Sequence, residues 1–127
     1  MEALTKAEEQ VMQALWSIGQ GFVKDVLNAL QPPKRGESAP AYTTISTILR
    51  ILEQKGFVGH EAFGRSHRYF PKVDREDYSA RSVRRVVKDY FGGSPKGLLS
   101  HFIEKEDLSM DDLDALLKVI RERQQKR

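Results

Sequence analysis

The chain has no cysteine, and that absence removes disulfides, thiolate metal sites, thiol-based switching and cysteine nucleophiles together. Histidine is sparse: His60, His67 and His101 are the complete set, and none has a carboxylate at helical i, i+4 spacing that would suggest a metal site. No metal and no cofactor is therefore expected. Long apolar runs are missing too, and those present are far too short to cross a bilayer, so direct membrane insertion is not expected. The opening MEALTKAEEQ lacks the basic segment and apolar run of a secretory signal, which points to a cytoplasmic protein. Net charge is small as well: +3 is too mild to establish nucleic-acid binding from composition alone. With 127 residues there is room for one globular domain, or a small domain with a helical extension, and none for a large enzyme.

What the sequence does have is pattern. In the stretch AYTTISTILRILEQKGF, from Ala41 to Phe57, Ile45, Ile48, Leu49 and Leu52 fall at i, i+3, i+4 and i+7 and define one apolar helix face that must be buried. The opposite face carries Thr43, Ser46, Thr47, Arg50 and Gln54: small hydroxyls, one amide and one guanidinium, with no acid among them. Arg pairs bidentately with guanine and Gln with adenine, hydroxyls bond phosphates or base edges, and a Thr methyl can touch a thymine methyl. Thr44 stands beside this set. The profile is that of a recognition helix, with an ordinary surface helix as the plain alternative.

Context favours the first. Gly56 supplies a helix stop, and FVGHEAF and HRYFPKV around the turn GRS read as a β-hairpin, with Arg65 at its tip and Arg68 just past it. Between Ala41 and Lys72 lie five basic residues (Arg50, Lys55, Arg65, Arg68, Lys72) against two acidic ones (Glu53, Glu61), enough to account for the whole net charge. Upstream, Thr5 with Glu8 is a capping box, and Val11, Met12, Leu15, Trp16 and Ile18 give a first helix over about 5–18. Met12 and Trp16 read as core. Gly21-Phe22-Val23 is either a short strand or the start of a second helix, which carries Val23, Val26, Leu27 and Leu30 and stops at Pro32-Pro33. A polar, proline-rich loop to Pro40 follows. Helix, helix, helix, hairpin is the order of a winged helix.

After Val73 the character changes. Asp74 and Asp77 start a fourth helix with Val83, Val86, Val87, Tyr90 and Phe91 on one side; Leu98, Leu99, Phe102 and Ile103 form a short fifth. Ser109 with Asp112 caps a sixth, which carries Met110, Leu113, Leu116, Leu117 and Ile120 before the polar tail. So small a segment cannot bury these faces by folding alone, and a symmetric homodimer is the expected solution, with packing back onto the winged helix in a monomer as the alternative. The expected architecture is mainly α with a small β-hairpin wing: residues 1–73 a winged-helix DNA-binding domain, residues 74–127 a helical dimerisation domain.

Three separated segments, LTKAEEQVMQALW, AYTTISTILRILEQKGF and HFIEKEDLS, resemble the first helix, the recognition helix and the start of the last helix of the penicillinase and methicillin-resistance repressors. The resemblance implies a dimeric repressor of transcription. It also implies a membrane sensor protease as partner, which responds to a β-lactam and cuts the repressor in its dimerisation region. The matching bond here is His101-Phe102, with His101 where the family's best-known members have Asn. The C-terminal cysteines of a copper-responsive branch are absent. Ile51 stands where many members carry Arg, this chain's Arg being one place earlier, and a one-residue shift turns a side chain by about 100° on a helix.

Repressor, interaction module and enzyme make different demands on these residues. A repressor places Thr43, Thr44, Ser46, Thr47 and Arg50 in the major groove of double-stranded DNA and Arg65 and Arg68 on its backbone. A winged-helix protein-interaction module without specific DNA binding would present a central aromatic or aliphatic anchor on helix 3, where Arg and hydroxyls stand instead. An enzyme needs a convergent nucleophile, acid or base, and no catalytic set is singled out.

Overall fold

The computed structural model describes residues 3–30, 35–36, 38–105 and 107–125. In chain order these form α1 (Lys6–Ile18), β1 (Gly21–Phe22), α2 (Val23–Ala29), α3 (Tyr42–Gln54), β2 (Val58–Phe63), β3 (Ser66–Pro71), α4 (Arg75–Tyr90), α5 (Pro95–Glu104) and α6 (Met110–Gln125). The fold is mainly helical with a small antiparallel sheet. By compactness the chain divides into two units, Met1–Ser79 and Ala80–Arg127, the division falling inside α4.

The start of α1 is set by local hydrogen bonding. Thr5 is the N-cap: its Oγ1 accepts from the Glu8 amide at 3.1 Å, while the Thr5 amide donates to Glu8 Oε1 at 2.8 Å. The expected Gly21-Phe22-Val23 strand or helix start turns out to be both. Gly21 and Phe22 pair with Tyr69 and Arg68 of β3, and α2 begins at Val23, with the Asp25 carboxylate accepting from the Phe22 amide at 2.9 Å. The sheet therefore runs β1-β3-β2, one strand more than the hairpin alone. Helix α2 ends at Ala29 with Leu30 as C-cap, earlier than the expected proline stop; Pro32 and Pro33 lie outside the described residues, as does part of the loop that follows.

The core of the first unit is a single cluster. Ile45, Leu49 and Leu52 of α3 meet Val11, Met12 and Leu15 of α1, Val23 and Val26 of α2, and Phe57, Val58 and Tyr69 of the hairpin. At about 25 cal/mol per Å² of apolar surface removed from water, this burial is the main force holding the unit. Trp16 packs against the cluster and donates its indole N–H to the Val73 carbonyl at 2.9 Å, tying α1 to the end of the wing. Gly56 follows α3 with φ +86°, a conformation that ends the helix at no Cβ cost. Its neighbour Lys55 reaches back to Glu8, Nζ to Oε1, at 2.9 Å.

In the second unit, local capping is equally plain. Ser94 Oγ accepts from the Gly97 amide at 3.2 Å with Pro95 in the first helical turn, so α5 starts three residues before its first leucine. Ser109 and Asp112 exchange reciprocal bonds of 3.0 and 3.1 Å at the start of α6. Apolar burial is scarce there: Val87 is the one buried residue described between Ala80 and Gln124.

The buried Glu8 carboxylate gives the first unit a measurable acid limit. Burial pushes its pKa up, but the bonds from Thr5 and from Lys55 outweigh that and hold it below the ordinary carboxylate value. A depressed folded-state pKa contributes stability above the unfolded value that is lost as pH falls through the folded one. Lys55→Met should cost about 2 kcal/mol at pH 7, and the gap to wild type should narrow in acid, as the pH falls through the depressed folded-state pKa of Glu8. Urea unfolding of both proteins at neutral and at acid pH checks this; an equal gap at both would remove Glu8 from the account.

Candidate nucleic-acid interface

Because Ile45, Leu49 and Leu52 face the core, the rotation of α3 about its own axis is fixed and the other side must face out. Thr43, Thr44, Thr47, Arg50 and Gln54 are exposed and Ser46 is half-buried. Thr47 Oγ1 donates to the Thr43 carbonyl at 2.9 Å, which anchors one hydroxyl to the helix and leaves its lone pairs as acceptors. No side chain caps the N-terminus of α3, where Ala41 is the N-cap, so its first-turn amides remain donors at the positive end of the helix dipole. Glu53, the one acid on α3, is turned toward the hairpin, where His60 Nδ1 lies 2.6 Å from Oε2.

Beside this face lies an open groove of about 660 Å³. Tyr42, Ser46 and Arg50 of α3 form one wall; Phe63, Arg65, Ser66, His67 and Tyr69 of the hairpin form another; Phe22, Val23, Lys24 and Asp25 close the end. Lys24, Arg50 and Arg65 thus share one concavity, and its one acid, Asp25, is already bonded to the Phe22 amide. The groove suits the sugar-phosphate backbone of a strand whose bases lie against α3. Lys24 and Tyr42 are additions to the expected site residues. The signal for Lys24 was its place beside Gly21-Phe22, but only the pairing of those residues with β3 brings it to the groove.

The wing is well braced. Val58 to Phe63 pairs with Ser66 to Pro71 in unbroken register, closed by Gly64-Arg65 with Gly64 at φ +62°. Arg65 stands exposed at the tip and has no ion-pair partner among the described residues. Arg68 differs: it donates to Glu61 at 3.2 Å and lies 4.7 Å over the Phe63 ring, so part of its charge is already engaged. The rings of His60 and His67 stack at 4.1 Å, with Tyr69 behind them; burial, and then the nearby Glu53 charge, push the Tyr69 phenol pKa up. Among the described residues no cluster of His, Asp and Glu could hold a metal ion, and no helix is long and apolar enough to cross a membrane.

The remaining expected residues belong to the second unit. Val83, Val86, Tyr90, Leu99, Phe102, Leu116, Leu117 and Ile120 are exposed; Phe91, Leu98 and Leu113 are half-buried; Val87 is buried. His101 and Phe102 sit within α5, the imidazole 5.9 Å from the Phe91 ring.

An α1-α2-α3-hairpin unit with an acid-free outer helix face and a cationic groove beside it defines a winged-helix DNA-binding protein. The family profile described as penicillinase repressor matches residues 4–122, and the chain belongs to that family, whose members are DNA-binding transcriptional repressors rather than enzymes. It is 25% identical to the methicillin resistance regulatory protein MecI of Staphylococcus aureus strain N315, over 92% of each chain. Identity to the transcriptional regulator BlaI of Mycobacterium tuberculosis is 32%, over 91% of this chain and 80% of that one. The solution structure of the DNA-binding domain of the repressor BlaI aligns with a TM-score of 0.48 at 30% identity, over 61% of this chain and 94% of that domain.

The two wing arginines should separate in a salt titration. Arg65→Ala is expected to reduce the slope of log K against log salt by about 0.9 for each wing that contacts a phosphate, and Arg68→Ala by clearly less, since Glu61 competes for it. Equal reductions would mean that Arg68 leaves Glu61 on binding.

Proposed function

We propose that this chain is a homodimeric repressor that binds a pseudo-palindromic operator. Thr43, Thr44, Ser46, Thr47 and Arg50 enter the major groove, while Arg65 and Arg68 on the wing, together with Lys24, hold the backbone. The observation that carries this reading is the outer face of α3: hydroxyls, Arg50 and Gln54 exposed together, its flanking acid bonded to His60, and Arg50 sharing a groove with Lys24 and Arg65. Two such helices on successive major grooves stand about 34 Å apart.

Dimerisation through residues 74–127 is the natural use of helices whose apolar side chains remain in water. Val83 is 52% exposed, Leu117 48% and Ile120 52%, values a monomer gains nothing by keeping. Release from DNA by proteolysis at His101-Phe102 follows the repressors this chain resembles, with a membrane sensor protease as partner of a cytoplasmic protein. That bond lies in helical backbone, so α5 must open locally before a protease can bind it in extended form.

A mobility-shift titration on DNA upstream of the chain's own gene, at low and physiological salt with nonspecific competitor, tests the reading. A discrete, competitor-resistant shift that weakens steeply with salt is the expected result. No specific shift at either salt would overturn it in favour of a protein-interaction role. Arg50→Ala should relax specificity at one base pair per half-site and cost about 1 to 3 kcal/mol there. Uniform weakening on all sequences would make Arg50 a phosphate contact instead.

Leu117→Asp with Val86→Asp should convert a particle of twice the 14.5 kDa chain mass into a monomer, read by light scattering, and lower operator affinity in parallel.

A further inference from the structure

The outer face of α3 divides lengthwise. Toward the groove it carries Tyr42, Ser46 and Arg50, all polar. Along the other edge run Thr44, Thr47 and Ile51, at i, i+3 and i+7, all exposed. Ile51 is 37% exposed, although α3 buries its other large aliphatic side chains wholly or in part. It neither lines the groove nor belongs to the core cluster. The Thr47 hydroxyl is bonded to the Thr43 carbonyl, and each threonine also carries a methyl group.

An apolar side chain on a surface that meets DNA has few partners. Among the groups base pairs present in the major groove, the C5 methyl of thymine is the one projecting apolar substituent; apart from the small C5–H of cytosine, the rest donate or accept hydrogen bonds that isoleucine cannot answer. We infer that Ile51, flanked by Thr44 and Thr47, is a specificity-determining residue that selects thymine in each half-site through its C5 methyl. The inference rests on the operator-binding reading above. Polar readout by Arg50 and apolar readout by Ile51 then occupy opposite edges of one helix, about 100° apart.

Uracil lacks only that methyl and keeps the same pairing edge and O4 acceptor, so it isolates the contact. An operator is first selected from random duplexes by the wild-type chain. Each thymine in one half-site is then replaced in turn by uracil, and affinity is measured for wild type, Ile51→Val and Ile51→Ala. One position should show a loss of about fourfold with the wild-type chain, the worth of one buried methyl. At that position Ile51→Ala should bind thymine and uracil DNA equally, with Ile51→Val between. A uracil penalty of the same size in wild type and Ile51→Ala overturns the inference, as does no penalty at any thymine. If no sequence is selected at all, the operator-binding reading fails, and this assignment with it. Circular dichroism of both variants separates loss of contact from loss of fold.

Discussion

What α3 shows to solvent depends on how the helix is rotated about its axis. Ile45, Leu49 and Leu52 admit one orientation against α1, α2 and the sheet, because a slip of one residue turns the helix by about 100° and would carry Arg50 or Thr47 toward the core. Burying an unpartnered guanidinium there would cost several kcal/mol. Core packing and the choice of outward residues are therefore one decision. The Lys55–Glu8 pair reinforces it at the far end of the helix, joining the cap of α1 to the last turn of α3 through a nearly buried carboxylate.

Features governed by neighbours in sequence were readable without coordinates. The Thr5–Glu8 and Ser109–Asp112 boxes, the apolar face of α3 and the turn at Gly64-Arg65 each rest on bonds or periodicities spanning a few residues. Features made by distant residues were not. Gly21-Phe22 is too short to declare itself a strand, and its pairing with Tyr69 and Arg68 is what closes the groove and brings Lys24 beside Arg50. Arg65 and Arg68 looked alike in sequence; only the register that sets Arg68 opposite Glu61 tells them apart.

The second unit shows the same division more sharply. Its helix starts are written locally, in Ser94-Pro95 and Ser109 with Asp112, and they do not depend on what the helices pack against. Its apolar side chains are another matter: with Val87 alone buried among those described, the helices are formed but their faces are unspent. Local propensity and capping shape such helices, and burial of their apolar faces decides whether they are stable.

The wing has a mechanical consequence. Its two strands pair without a bulge from Val58–Pro71 to Phe63–Ser66 and end in a two-residue turn; the third strand stiffens them along β3, and the Phe22–Phe63 ring contact at 5.8 Å does so nearer the tip. Six residues at about 3.4 Å each make an arm of roughly 20 Å that bends little. Under the proposed binding mode, a duplex touching both α3 and Arg65 would be gauged as by a caliper, from the floor of one groove to the neighbouring phosphate ridge. In the proposed complex, sequences already at that width would be accepted without deformation, and the stiffness of the DNA itself would become part of what is read.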